Sequence, residues 1–338
     1  MPIPSPVFYP PFNITRISHT VITCRDTARS RDFYTEVYGL VVTGEEGDAV
    51  YLRGIEEACH HSLVLKRIDA EPVCETVGFR VLTEEELEKA ERFFIAEGLA
   101  PHWVEAPHQG RTLRVSDPSG VPLEFCACMD RVERADSAHN AHKGACGLRF
   151  DHMQLHAADV VSAFEIYNRL GFRISDYMTA PGSGDVLGIF SYRKDIPWDI
   201  VFLTGRGPRM HHFAYVTRSF QNMMRACDVA GQMGYGDAVE RGPGRHTMGH
   251  VQYVYLRDPD GHRCEILLDA PHQMLDMEIE PVEWDVSGIN TGGWGLPAQR
   301  SWFEETSGFP GVETAAPENS GRPFSLEDFV EERAAQRQ

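Results

Sequence analysis

The sequence predicts an α+β protein of two similar domains, each made of two βαβββ-like modules. Three observations carry this. The chain has 338 residues, about two domains at roughly 100–200 residues each. A strand-like opening followed by an amphipathic helical pattern occurs four times, the mark of an internal repeat. Two closing segments nearly repeat one another, SDPSGVPLEFC at 116–126 and RDPDGHRCEIL at 257–267.

The four openings are ISHTVIT (17–23), VGFRVLT (77–83), FDHMQLH (150–156) and HHFAYVT (211–217). Each alternates apolar and polar residues, as a half-buried strand does. Helical patterns follow at 27–40, 83–99, 158–172 and 218–235. In the first, Phe33, Val37 and Leu40 share a face. The second carries acidic residues in its first turn, where the helix dipole favours them. In both closings Asp-Pro-x-Gly predicts a tight turn, with Pro setting φ and Gly supplying positive φ. A glutamate lies on the strand after each turn, and Asp117 to Glu124 has the same separation as Asp258 to Glu265.

The modules pair into an N-terminal domain at 14–128 and a C-terminal domain at 149–269. Between them, 129–148 is polar and reads as a linker. Residues 270–338 read as an extension wrapping the second domain. From about 286 it is rich in Gly, Pro and polar residues, which predicts irregular structure, and FSLEDFVEERAAQRQ at 324–338 predicts a terminal helix.

The apolar fraction of 42% is enough for sizeable cores. A formal net charge of −18 argues against a nucleic-acid or anionic-membrane partner, which clustered Lys and Arg would meet. The start of the chain lacks the basic then apolar pattern of a signal peptide. No apolar run approaches the roughly 20 residues of a membrane span. The eight cysteines form no CxxC pair, so reduced thiols in a cytoplasm are the expectation.

Three groups of the second domain carry chemistry. His152 lies in the opening strand of the third module, His211 and His212 open the fourth, and Glu265 lies on its last strand. Two imidazoles and a carboxylate on one face leave coordination positions open, the facial triad of non-haem Fe(II) oxygen chemistry. Strand side chains alternate, so one of the adjacent histidines must face inward. Alignment with the repeat selects His212, with Ala214 and Val216 on its face, and turns His211 away. A lone strand histidine is more often a satisfied polar residue than a ligand. Two of them with a glutamate, at matching places in related modules, favour a metal. The first domain keeps His19 and Glu124, but Gly78 aligns with His212, so one metal per chain is expected, in the second domain.

These modules, with FDHMQLH, GPRMHHFAYVT, ERGPGRH and YLRDPDGHRCEI, resemble the type I extradiol ring-cleavage dioxygenases of the vicinal oxygen chelate superfamily. Among these the likeness is strongest to homoprotocatechuate and catechol 2,3-dioxygenases. NITR and SH near the start, YLRG at 51–54 and HHSLVL at 60–65 fit as well, so the resemblance runs from about 12 to 300. It implies the glyoxalase/bleomycin resistance/extradiol dioxygenase fold, in which paired modules make an open barrel. It implies Fe(II), or Mn(II) as in some members, held by His152, His212 and Glu265. The substrates would be a catechol-like aromatic and O₂, opened next to the diol to a semialdehyde in the breakdown of aromatic compounds. A homo-oligomer, dimer or tetramer, is implied too.

Residue by residue, Tyr255 and His246 match catalytic positions near the substrate oxygens, and Arg241 matches a pocket arginine. Two departures stand out. Trp198 occupies the place of the family's acid–base histidine, and a Trp donates only through its indole N–H. Thr291, Gly292 and Gly293 stand near the place of an arginine pair that holds a substrate carboxylate. A buried carboxylate without a cationic partner is costly. A less acidic catechol is therefore expected, with Trp198 and Phe190 lining an apolar pocket. Two alternatives stay open on the same scaffold, oxygenation of a hydroquinone or aminophenol, and a glyoxalase-like lyase or isomerase.

Overall fold

A computed structural model describes residues 2–268, 280–286, 293–318 and 323–336. The first half runs β1 (Ile14–Cys24), α1 (Thr27–Glu36), β2 (Val41–Glu46), β3 (Ala49–Arg53) and β4 (Leu63–Arg67). It then repeats as β5 (Cys74–Val81), α2 (Glu84–Ala96), β6 (His102–Ala106), β7 (Gly110–Ser116) and β8 (Pro122–Cys126). The second half runs β9 (Phe150–Ala157), α3 (Val160–Arg169), β10 (Arg173–Thr179), β11 (Val186–Tyr192) and β12 (Ile200–Thr204). Its repeat is β13 (Arg209–Thr217), α4 (Phe220–Gln232), β14 (Val239–Arg245), β15 (Gln252–Arg257) and β16 (Arg263–Leu268). After it come β17 (Val282–Asp285), α5 (Arg300–Glu304) and α6 (Leu326–Ala335).

All four expected strand–helix openings are present. Three helices begin where a side chain takes over an orphan N–H. Asp26 caps α1 by accepting from the Arg29 N–H, Asp159 caps α3 through Ser162, both at 3.0 Å, and Ser219 caps α4 through Asn222 at 3.2 Å. Helix α2 has no such cap, and Glu84, Glu85 and Glu86 complement its dipole instead. The Asp-Pro-x-Gly turns also form, with Gly120 at φ +97 and Gly261 at φ +90.

The strands assemble into two sheets of one topology. The first has the order β2-β3-β4-β1-β5-β8-β7-β6. The second has β14-β15-β16-β13-β9-β12-β11-β10, with β17 added in parallel beside β10. Each sheet curls as a half-barrel. The helices pack against the strands of the sheets, and a continuous apolar core includes Phe33, Phe79 and Phe125 from the first half and Phe164, Phe202 and Phe213 from the second.

The halves are stitched together by a reciprocal pair of bonds. Asp117 Oδ1 accepts from the N–H groups of Ser119 and Val121 in its own turn, and its Oδ2 accepts from Tyr167 of α3 at 3.0 Å. Asp258 does the same with Asp260 and His262, and its Oδ2 accepts from Tyr34 of α1 at 2.9 Å. Each half's turn aspartate is thus satisfied by the other half's helix.

Two expectations need correction. The 129–148 segment is not a free polar linker throughout, since Met129, Ala145, Cys146 and Leu148 are buried. Those side chains are apolar, and Cys146 and Leu148 pack with Ile55 of the first half and Ala214 and Val216 of the second. The segment after 286 is not wholly irregular either. It holds the short helix α5, whose Trp302 is buried. The terminal helix forms as α6 with a capping box at Ser325 and Asp328. Thr291 and Gly292 lie outside the described residues. All eight cysteines are unpaired.

Candidate metal centre

The four central strands of the second sheet set the site. Along β9, Phe213 of β13 faces Met153 and Tyr215 faces Phe150, so Asp151 and His152 both oppose Ala214. That extra residue is a β-bulge, which re-aims the side chains around it. The same device precedes His19 in β1, where Ser18 is the extra residue between Ile17 and His19. A second bulge in β13 makes His211 the extra residue between Met210 and His212. Glu265 comes from β16, in parallel register beside Ala214.

These strands bring His152, His212 and Glu265 together, all buried. His152 Nε2 lies 3.2 Å from His212 Nε2, and each nitrogen lies 3.3 Å from Glu265 Oε2. Two ligands at right angles on bonds of about 2.2 Å lie about 3.1 Å apart, so the near-equilateral triangle has the dimensions of one face of an octahedral site. The His152 ring is oriented from behind. His152 Nδ1 is 2.8 Å from Asp151 Oδ2, the carboxylate–histidine pairing that leaves Nε2 bare for a metal. Burial opposes ionisation of Asp151, but Lys194 and His152 outweigh it and hold its carboxyl below the usual range. Lys194 Nζ also donates to the Asp151 carbonyl. Burial pushes the His212 imidazole down to about 4, whereas at His152 burial is outweighed by Asp151 and Glu265, which push that imidazole up to about 9, so a metal would displace a proton there.

The first sheet is a control built into the chain. His19 and Glu124 are there, 2.9 Å apart. The ladder corrects one equivalence, however. Glu124 lies beside Gly78 as Glu265 lies beside Ala214. Gly78 is therefore the counterpart of Ala214, and Thr76, opposite Val21, is the counterpart of His212, opposite Gln154. The bulges shift the register that the linear alignment assumes. Gly78 has a different role. A Cβ there would come 2.2 Å from the His19 ring, so only glycine lets the ring lie across the strand. Arg114 stands opposite Glu124 where Tyr255 stands opposite Glu265, and its Nε donates to Glu124 Oε2 at 2.6 Å. The buried carboxylate of the first half thus has its cation in Arg114. Among the described residues Glu265 is met by no Lys or Arg, but by the Tyr255 phenol and the imidazoles of His152, His212 and, at 3.7 Å, His246. A buried carboxylate needs compensating positive charge, and the donor set of the second half fits a divalent cation.

The remaining expected residues surround this face. Tyr255 OH is 2.9 Å from His246 Nε2, and the His246 ring stacks on Tyr253 with centroids 3.9 Å apart. Burial, then the Glu265 charge, pushes the Tyr255 phenol well above its ordinary value, so it stays a donor. Trp198, just before β12, presents its ring to His152 at 5.8 Å and 77°, and Phe190 lies 5.8 Å behind it. The Trp198 indole N–H is buried and has no partner among the described residues. Arg241 is held between Tyr253 and Trp302, its guanidinium carbon 5.1 and 4.6 Å from the two rings.

His211 departs from expectation. It does not face away from the site; it is buried behind His212 with Nδ1 atoms 2.7 Å apart, because the bulge in β13 breaks the alternation. Sequence reasoning also passed over Asp151, Tyr253 and Trp302. The acid directly before His152 was a usable signal. Trp302 carried none, because it reaches the site from 90 residues beyond His212.

The family model described as the Glyoxalase/Bleomycin resistance protein/Dioxygenase superfamily matches residues 16–125 and 149–266. Relatives include a manganese-dependent 2,3-dihydroxybiphenyl 1,2-dioxygenase from Geobacillus genomosp. 3, 24% identical over 82% of this chain and 92% of that protein. A metapyrocatechase from Geobacillus stearothermophilus is 25% identical over 87% of this chain and 94% of that protein. Among solved structures, a variant of homoprotocatechuate 2,3-dioxygenase from Brevibacterium fuscum superposes with a TM-score of 0.88 at 31% identity, covering 95% of this chain and 90% of that one. The enzyme of that name from Arthrobacter globiformis gives 0.84 at 32%, covering 93% and 97%. The chain therefore belongs to the glyoxalase/bleomycin resistance protein/dioxygenase superfamily and, within it, to the extradiol ring-cleaving dioxygenases.

Proposed function

We propose that this enzyme holds one Fe(II) or Mn(II) through His152, His212 and Glu265 and cleaves a catecholic ring beside its vicinal diol with O₂, giving a semialdehyde. The observation that carries this reading is the 3.2–3.3 Å triangle of donor atoms. When bound, the metal supplies open coordination positions for the diol and a redox couple linking it to O₂. The protein's own groups do the rest. Tyr255, a phenol kept protonated, donates a hydrogen bond to a substrate oxygen, and His246 beside it exchanges the proton. Trp198 donates through its indole N–H and excludes water with Phe190. A domain with this site at 149–269, an N-terminal domain at 14–128 and an extension at 270–338 complete the reading.

Trp198 and Phe190 make one wall apolar, and Arg241 is held over the Tyr253 and Trp302 rings. These features favour a catechol with an apolar or weakly acidic substituent. The relatives named for 2,3-dihydroxybiphenyl and metapyrocatechase activity point the same way. One observation favours a second reading. A donor-only Trp198 in place of an acid–base histidine suits oxygenation of a hydroquinone or aminophenol. A homo-oligomer in the cytoplasm fits the resemblance and the free thiols, and light scattering reads the oligomer directly.

The test is anaerobic reconstitution with Fe(II) or Mn(II), followed by oxygen uptake over a panel of catechols. One O₂ per substrate with a yellow product is expected, strongest for apolar catechols. Catechol binding without oxygen uptake would move the hydroquinone reading ahead. A micromolar KM for 3,4-dihydroxyphenylacetate with high turnover would overturn the substrate preference.

A further inference from the structure

We propose that His211 is a positioning residue that sets the tautomer and the aim of His212 by linking it to the backbone carbonyl of Trp302. The inference rests on reading His152, His212 and Glu265 as a metal centre. It goes beyond that reading by assigning work to His211 and to the C-terminal segment that carries Trp302.

The protons can be placed from geometry. A carbonyl oxygen only accepts. His211 Nε2 lies 2.9 Å from the Trp302 carbonyl oxygen, so that nitrogen carries a hydrogen. His211 Nδ1 lies 2.7 Å from His212 Nδ1, and two N–H groups cannot face one another at that separation, so one of the two is bare. A metal ligand at His212 Nε2 must present its lone pair there, which leaves the ring proton on His212 Nδ1. The donor order is therefore His212 Nδ1–H to His211 Nδ1, then His211 Nε2–H to the Trp302 carbonyl.

Packing holds this line rigid. Both histidines are buried, and the Trp302 ring crosses His211 edge to face at 4.4 Å and Tyr255 at 4.3 Å. Helix α5, which bears Trp302, is held by Arg263, whose guanidinium donates to the carbonyls of Ser301 and Glu305 at 3.3 and 3.1 Å. The two imidazole ligands are thus backed differently. His152 leans on the Asp151 carboxylate, while His212 leans on a neutral imidazole ending at a peptide carbonyl. Partners behind a ligating histidine typically contribute about 10–100-fold to metal affinity.

The experiment is Co(II) affinity, measured on the full chain by chelator competition, together with thermal unfolding of the metal-free protein. Wild type is expected to bind one equivalent, and Glu265→Ala to lose it. His211→Leu removes both bonds and should weaken binding about 10–100-fold. His211→Gln should stay within about threefold, because an amide O–C–N spans the same donor and acceptor positions as Nδ1–Cε1–Nε2. Leu as tight as wild type, or Gln as weak as Leu at equal thermal stability, would overturn the proposal. Wild type without stoichiometric binding would instead sink the metal reading itself. A second measurement needs no variant that folds poorly. In ¹⁵N-histidine-labelled, Zn(II)-loaded wild type, nitrogen shifts and couplings should place hydrogens on His212 Nδ1 and His211 Nε2. A hydrogen on His211 Nδ1 overturns the proposal.

Discussion

Trp198 and His61 stand at one place in the two sheets. Leu63 faces Thr20 as Ile200 faces Met153, which makes the residues two positions earlier counterparts. His61 meets His19 at 5.5 Å and 86°, and Trp198 meets His152 at 5.8 Å and 77°. In the first half His61 is tied to Gln109 at 2.8 Å, and burial pushes its imidazole down to about 3. A histidine is therefore kept where the carboxylate already has Arg114, and a tryptophan stands where chemistry is expected. If the indole N–H hydrogen-bonds a charged oxygen of the reacting complex, Trp198→Phe should lower kcat/KM roughly ten- to hundredfold while the fold is retained. Steady-state kinetics check this, and an unchanged kcat/KM removes the donor role. Gly78→Ala gives a second prediction at this scale. Its Cβ would meet the His19 ring at 2.2 Å, so it should cost about 1–3 kcal/mol of stability, read by denaturant unfolding.

Helix α5 is only five residues long, and its seat depends on charge. Glu240 on β14 receives Arg263 through two bonds at 2.5 and 2.9 Å, Arg257 at 2.8 Å and the Ser301 hydroxyl at 3.0 Å. Burial alone would raise the Glu240 carboxyl, but Arg263 and then Arg257 outweigh it and push it from 4.5 down to about 2. A carboxyl whose folded pKa lies below its unfolded one stabilises the fold above the unfolded value, and the effect is lost as pH falls through the folded value. The stabilisation from Glu240 is thus full above about pH 4.5 and fades toward pH 2. Glu240→Gln should cost on the order of 3 kcal/mol at neutral pH. Its Tm deficit should narrow as the pH is lowered, so a gap that stays constant with pH would reject the ion cluster as its source.

At the scale of the molecule, the two halves are joined by the crossed Tyr34–Asp258 and Tyr167–Asp117 bonds, all four groups buried. Removing either hydroxyl leaves a buried carboxyl oxygen short of a donor. Tyr34→Phe and Tyr167→Phe should each cost about 1–3 kcal/mol by equilibrium unfolding. Since the turns they brace carry β8 and β16 into place, the Tyr34 change should also loosen the Glu265 side of the site, seen as weaker Co(II) binding than in Tyr167→Phe. Equal affinity in the two variants would separate the brace from the site. Much of this organisation was legible in the chain. The openings at 17–23, 150–156 and 211–217 fall inside β1, β9 and β13, the one at 77–83 overruns β5 by two residues, and both turn glycines take positive φ. The strand β17 was not legible, because it gains its bonds from β10, about a hundred residues earlier, rather than from any alternation of its own. By itself the sequence determined the module repeat and the identities of the donors, since these rest on periodicity and residue chemistry within a few turns of chain. The tertiary structure alone decided that Thr76 rather than Gly78 answers to His212, that His211 stands behind its neighbour and that Trp302 closes the line. Those outcomes depend on bulges and on pairings between distant strands, whose register is set by hydrogen bonds across the sheet and not by neighbours along the chain.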